Sequence, residues 1–408
     1  MTHVGDIAVT GLGLVTPAGI GVEENWRRVL SGRSCAAPDD TLAGMPVGIS
    51  CRVPGFDAEE LLPDFPAWQL ERFVQLALAA ARMAVRDAGW DPGRWDGTRV
   101  GVVLGNSLGG AATFEEQHDV LRERGPAKVS PLLVTRYMPN MGAGYLAIDL
   151  GVLGPSIGVA TACASGATAV GTARDLLRSG TCDIVLAGAS ESALTRTVMS
   201  GLAKMGALSR SDAAAEHVSK PFDAERDGFV AAEGAGVLVL ERTRDAAARG
   251  ATVRALLAGY GTSSDSHHAT APHPGGLGIE RAVRTALGDA AVAPTSVDHV
   301  NAHGTATPMN DLIEGRMLHR VLGGRAAVTS TKGVTGHALA AAGAIEAAYT
   351  VLAVQHGVMP PVANLKNPDP GLELDLVSGE PRTGRVEVAL STSLGFGGHN
   401  AALVFTAA

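Results

Sequence analysis

Gly158-Val-Ala-Thr-Ala-Cys163-Ala-Ser-Gly-Ala-Thr-Ala-Val-Gly-Thr-Ala-Arg-Asp-Leu-Leu-Arg-Ser-Gly180 is the stretch on which this 408-residue chain turns. Residues 157–160 read as a short apolar strand and the small residues around Cys163 as a sharp turn. Val170, Ala173 and Leu177 form one stripe of a helix that ends at Ser179-Gly180. A cysteine at a helix start faces unpaired N–H groups and the positive end of the helix dipole. That setting favours the thiolate, the reactive form. Ala162, Ala164, Ser165 and Gly166 leave room for a substrate to reach the sulfur. A lone cysteine is more often buried and inert, so Cys163 as a nucleophile depends on what lies more than a hundred residues downstream.

Three loops there share one composition. Asn301-Ala-His303-Gly-Thr-Ala-Thr-Pro308 follows an apolar strand, and Ser330-Thr-Lys332-Gly-Val-Thr-Gly-His337 opens a helix. Ser391-Thr-Ser-Leu-Gly395-Phe396-Gly-Gly-His399-Asn400 reads as a loop before a last strand at 401–405. Active sites of open α/β sheets lie beyond the strand ends, where such loops gather. Two histidines in Gly/Thr-rich loops, with a cysteine flanked by small residues, make a constellation with catalytic meaning.

Hydrophobic residues at 46% and charged ones at 18% predict a large packed core and exclude a disordered chain. Aromatics are only 4% while glycines number 52, so close helix–sheet approach must replace bulky packing. A net charge of −8 without a basic run argues against nucleic acid as a partner. No apolar run reaches bilayer length, and the N-terminus reads as a first strand rather than a signal peptide. Cys35, Cys51, Cys163 and Cys182 show no CxxC spacing, which predicts a cytoplasmic protein with free thiols.

Apolar strands alternate with helices throughout, predicting an α/β fold with covered sheets. Strands are expected at 6–13, 100–104, 183–188, 237–240, 253–258 and 297–301, and helices at 22–30, 68–89, 279–287, 311–322 and 338–355. Residues 130–141 read as a greasy loop lining a pocket or an interface. The polar segment 246–250 divides the chain into an N-terminal half, 1–250, carrying the cysteine, and a C-terminal half, 251–408, carrying both histidines. His267, His268 and His273 sit in a polar loop without metal-ligand spacing, and the Gly-x-Gly runs lack the acidic residue a dinucleotide site requires.

Thr161-Ala-Cys163-Ala-Ser-Gly, His303-Gly-Thr-Ala-Thr-Pro, Lys332-x-x-x-Gly-His337, Gly395-Phe396-Gly-Gly and the block Pro221-Phe-Asp-Ala-Glu-Arg-Asp-Gly-Phe together resemble the elongating condensing enzymes of the β-ketoacyl-acyl-carrier-protein synthase family. The resemblance spans essentially the whole chain. It implies the thiolase fold, an αβαβα sandwich of five layers in two similar halves, usually dimeric. It also implies decarboxylative Claisen condensation of a Cys163-bound acyl chain with malonyl-acyl carrier protein. A thiolate accepts an acyl group from a thioester at little energetic cost, and imidazole N–H donors stabilise the enolate left by loss of CO₂.

By this resemblance His303 and His337 stabilise the enolate and Lys332 sets their electrostatics. The N–H groups of Cys163 and Phe396 form an oxyanion hole, Phe396 gates the second half-reaction, and Thr305 and Thr307 bind the phosphopantetheine arm. Leu108, Leu132, Leu133 and Leu202 align with acyl-pocket positions, the second pair reaching across a dimer. Asn301, Glu346 and Ser391 match positions that hold a structural cation in some relatives; no other metal and no dissociable cofactor is expected. The partners implied are an acyl carrier protein and either a second copy or a chain-length-factor homologue.

Two departures point away from fatty-acid elongation toward a type II polyketide ketosynthase. Ser391-Thr-Ser-Leu stands where relatives have an Asn-Ser-Phe run, and 64–71 is apolar and acidic where bacterial relatives tend to be basic. Other classes remain to be weighed. A non-catalytic chain-length partner would lack the nucleophile, and a zinc hydrolase would use Cys163, His303 and His337 as ligands. A degradative thiolase needs a late second cysteine, and none follows Cys182.

Overall fold

A computed structural model describes residues 7–408; the expected strand start at Asp6 lies outside the described residues. The N-terminal strands are β1 (Ile7–Thr16), β2 (Val100–Gly105), β3 (Ser156–Val159), β4 (Ile184–Glu191) and β5 (Gly234–Arg242). The C-terminal strands are β6 (Ala255–Ser264), β7 (His299–Asn301), β8 (Ala327–Thr329), the short β9 (Asp375–Leu376), β10 (Val388–Gly395) and β11 (His399–Thr406). Their order is β9-β8-β7-β10-β11-β6-β1-β5-β4-β2-β3.

The two halves repeat one plan. β3, β2 and β4 are parallel, β5 is antiparallel to β4, and β1 is antiparallel to β5. In the second half β8, β7 and β10 are parallel, with β11 and then β6 added antiparallel. The halves join where Ile7–Val9 of β1 runs antiparallel to Ala255–Leu257 of β6. The duplication is in topology, with no sequence repeat to announce it.

Five helices complete the layers: α1 (Arg72–Asp87), α2 (Ser165–Arg178), α3 (Leu277–Asp289), α4 (Pro308–Leu322) and α5 (Ala342–His356). α1 covers β1 and β5 on one outside, and α3 covers β6 and β11 on the other, with α4 beside it. α2 and α5 lie between the halves, touching strands of both. This is the thiolase-type αβαβα sandwich.

The glycine and alanine load explains how the layers close. A Cβ on Gly166 would stand 2.4 Å from Ala344 N, and one on Gly343 2.7 Å from Ala167 N, so α2 and α5 cross backbone to backbone. Gly11 and Gly13 of β1 likewise admit the alanine face of α1. Small residues thus supply close contact where aromatics are scarce.

Three expectations need correction. α1 begins at Arg72 and not at 68, because Leu70 and Glu71 are extended after a short turn at Ala67–Gln69. Residues 130–141 are not loop throughout: Leu133–Tyr137 is a helical turn. Ser391–Leu394 belongs to a central strand, β10, paired with β7 on one side and β11 on the other. Its buried hydroxyl-bearing side chains gave it the composition of a loop. Among the described residues no helix is long and apolar enough to cross a membrane.

Candidate active site

Cys163 sits in a tight turn between β3 and α2. Ala162 has φ 49°, a left-handed conformation that non-glycine residues adopt at a cost. The turn is held by Ser165, whose Oγ donates to Ala162 O at 2.6 Å and accepts from Thr161 N at 2.9 Å. The β10–β11 hairpin closes over it. A Cβ on Gly395 would lie 2.5 Å from Thr161 O, and the Phe396 N–H donates to the Cys163 sulfur.

His337 follows the helical turn Lys332–Thr335 and is pinned through its backbone, N to Val230 O at 2.8 Å and O from Ala232 N at 2.9 Å. Its Nε2 lies 3.2 Å from Cys163 Sγ. His303 stands beside it with ring centroids 5.3 Å apart and planes nearly perpendicular, at 86°. Lys332 Nζ is 3.3 Å from His303 Nδ1 and forms a buried ion pair with Glu346. The long-range fold therefore brings Cys163, His303, Lys332 and His337 together in one buried cluster.

The electrostatics differ from the helix-dipole expectation. Burial pushes the Cys163 thiol up to about 11, and Lys332 and the Phe396 N–H only partly offset this. Desolvation of the anion therefore opposes the thiolate that a helix start favours, the helix here beginning two residues later. Burial, reinforced by Lys332, holds both histidines well below their usual range, so they are neutral. A neutral His337 with Nε2 unprotonated can take the thiol proton there as the sulfur attacks and pass it to the leaving thiolate; in the tautomer protonated at Nε2 it can, beside His303, donate an N–H to a developing oxyanion.

Family models for the β-ketoacyl synthase N-terminal domain and C-terminal domain match residues 5–246 and 254–366. The chain belongs to the β-ketoacyl synthase family. It is 40% identical over 406 residues to 3-oxoacyl-[acyl-carrier-protein] synthase 2 of Synechocystis sp., covering 98% of this chain and 97% of that one. The solved ishigamide ketosynthase/chain length factor superposes with a TM-score of 0.93 at 34% identity, covering 99% of both chains. A ketosynthase bound to the hexaketide, solved with its type II polyketide acyl-carrier protein, superposes at 0.91 with 33% identity, again over 99% of both. The protein is thus an acyltransferase of the ketosynthase class.

In this synthase the buried cluster opens into a cavity of about 220 Å³ lined by Cys163, His303, Thr305, Thr307, His337 and Phe396, among others. The Thr305 and Thr307 hydroxyls are 2.9 Å apart. Leu202 packs at the margin of the apolar cluster that contains Cys163. None of the four leucines expected at the acyl pocket lines this cavity: Leu108 is exposed, and Leu132, Leu133 and Leu202 are half-buried outside it.

Asn301 and Ser391 face one another across β7 and β10, and Asn301 Nδ2 donates to Glu346 O at 3.2 Å. Asn301 Oδ1, Glu346 Oε2, Ser391 Oγ and Ser393 Oγ are all buried without a hydrogen-bond partner. Oxygen atoms orphaned in this way are the donor set a hard cation satisfies. Among the described residues no group of three or more His, Cys, Asp or Glu side chains is placed to hold a metal, which leaves the zinc-hydrolase reading without a site.

Several residues escaped the sequence reading. Glu314 on α4 accepts the N–H groups of His303 and Gly304, each at 2.8 Å, and the Thr392 hydroxyl at 2.6 Å, so it orients the His303 loop. Arg226 donates to Thr307 O and Pro308 O, and Asp311 accepts from Phe222 N, which ties the Pro221–Phe229 block to the threonine loop. A signal was present: Asp311 and Glu314 fall on the apolar stripe of α4 with Leu318 and Val321, where acids need a reason.

Proposed function

We propose that this synthase is the ketosynthase subunit of a type II polyketide system. Cys163 attacks the thioester of an acyl carrier protein as His337 takes the thiol proton, and that proton passes to the departing phosphopantetheine thiolate, which leaves the acyl-enzyme, a free carrier thiol and a neutral His337. Malonyl-carrier then loses CO₂, His303 and His337 stabilise the enolate oxygen, and the enolate carbon attacks the Cys163 thioester to release the β-ketoacyl product. The N–H groups of Cys163 and Phe396 hold the tetrahedral oxyanion, and Thr305 and Thr307 hold the phosphopantetheine arm. No dissociable cofactor takes part, and the cysteines work as free thiols in a reducing cytoplasm. The 3.2 Å contact between Cys163 Sγ and His337 Nε2 carries this reading.

A second chain completes the assembly. Among the described residues β3 ends the sheet without a further strand, and Leu108, Phe114, Val134 and Tyr137 are exposed. The partner we infer is a chain-length-factor homologue. In support, the arginines around 64–71 are already committed: Arg72 to Glu233, Arg82 to Asp149, and Arg136 to Glu71. Trp68 is 68% exposed on this segment, which carries no basic residue between 64 and 71, so basic contacts for an acidic carrier protein must come largely from elsewhere. The 40% identity to a 3-oxoacyl synthase favours a second reading, fatty-acid elongation by the same chemistry as a homodimer.

Intact mass after incubation with acyl-carrier thioesters of several lengths tests both. A mass increase equal to the acyl group, lost in Cys163→Ala, supports the acyl-acceptor role. Turnover by the chain alone supports the fatty-acid setting; turnover only with a chain-length-factor homologue supports the polyketide one. No adduct with any donor, with or without the partner, defeats the condensation reading.

A further inference from the structure

Glu191 closes β4, is fully buried, and has no part in the chemistry derived above. Its carboxylate gathers a loop. Oε2 accepts the N–H of Ser107 at 3.1 Å and of Leu108 at 3.3 Å, and Oε1 accepts Asn106 Nδ2 at 3.2 Å. These donors lie just past the end of β2, where the strand ladder no longer supplies acceptors, and buried N–H groups must find one. From that loop Ser107 Oγ donates to Ala162 O at 3.3 Å and lies 3.2 Å from Ser165 Oγ. Ala162 is the left-handed residue that aims Cys163, and Ser165 is the side chain that holds the turn.

We propose that Glu191 is a positioning residue for acyl transfer, acting through Ser107 on the Ala162–Cys163 turn. The proposal rests on Cys163 being the acyl acceptor. An independent electrostatic consequence accompanies the geometry. The Glu191 and Glu346 charges oppose ionisation of Cys163, while Lys332 favours it. Burial pushes Glu191 up to about 7 against the N–H donors that favour its anion. A glutamine at this position keeps the shape, removes the charge and offers one acceptor oxygen in place of two.

The test uses the full-length chain with Glu191→Gln and Ser107→Ala. Alkylation of Cys163 by iodoacetamide is followed across pH by mass of the Cys163 peptide, beside acyl transfer from an acyl-carrier thioester. In E191Q the alkylation profile is expected to move to lower pH, while acyl transfer falls roughly tenfold as the turn loosens. In S107A the charge remains, so the profile should stay in place while acyl transfer falls. An E191Q profile and transfer rate that both match the parent overturn the proposal, as does a change in only one of them. Should E191Q fail to fold, S107A decides, and full acyl transfer in S107A overturns it. A parent chain that takes no acyl group from any carrier defeats the acyl-acceptor reading instead, while the alkylation shift still reports on Glu191.

Discussion

Cys163 Sγ and His337 Nε2 face each other at 3.2 Å, although 174 residues separate them in the chain. The two serve different steps. Cys163→Ala removes the acyl acceptor and leaves both imidazoles in place, so acyl transfer should vanish while decarboxylation of malonyl-carrier persists. Release of CO₂ from malonyl-carrier by C163A checks this; loss of both activities would show that the sulfur is needed to assemble the enolate site.

Glu314 accepts from four donors, the N–H groups of His303 and Gly304 in the histidine loop together with Asn310 Nδ2 and the Thr392 hydroxyl, and an amide cannot accept from all of them. Glu314→Gln should reduce decarboxylation by on the order of tenfold to a hundredfold, the consequence of leaving a buried N–H unpaired. Alkylation of Cys163 should be little changed, since Glu314 touches only the histidine side of the site. Equal losses in both assays would mean a global change instead.

Lys332 and Glu346 are a buried ion pair at the centre of the molecule. Removing one member strands the other charge, so Glu346→Ala should lower the unfolding free energy by about 3–5 kcal/mol. Joint replacement of both by apolar residues of similar volume should recover much of that stability without restoring condensation. Urea unfolding of the three variants measures the difference.

The crossing of α2 and α5 leaves no space for a methyl group at Gly166. Gly166→Ala should cost about 1–3 kcal/mol through overpacking, and because α2 carries the Cys163 turn it should also slow acyl transfer. Thermal unfolding beside acyl-adduct formation tests the pair of effects.

Burial and Lys332 hold His303 and His337 well below the usual imidazole range, so both stay neutral as pH falls through 6.5. Decarboxylation should therefore stay flat as pH falls through 6.5, where an ordinary imidazole would half-protonate. The linkage to stability has a definite sign. These histidines take up protons on unfolding, so their contribution is intact above pH 6.5 and is lost as pH falls toward their folded values. Glu191 and Glu346, raised to about 7 chiefly by burial, act in the opposite sense. Their contribution is intact below pH 4.5 and is lost as pH rises through about 7. A decarboxylation profile with a midpoint near 6.5 would contradict the buried, neutral state.

The sequence by itself determined the α/β alternation, the Cys163 turn and the Gly/Thr-rich settings of His303, Lys332 and His337. Those signals are local, carried by small residues at turns and by apolar periodicity. Tertiary structure decided what depends on distant partners. The polar run Ser391-Thr-Ser is a central strand because β7 and β11 flank it. The matching strand orders of the two halves emerge only when pairing is seen. Glu191 and Glu314 acquire meaning from N–H groups on other loops. The electrostatics of Cys163 depend on distant partners too: a helix start favours the thiolate, while burial, with the Glu191 and Glu346 charges adding to it, raises the cost of the anion.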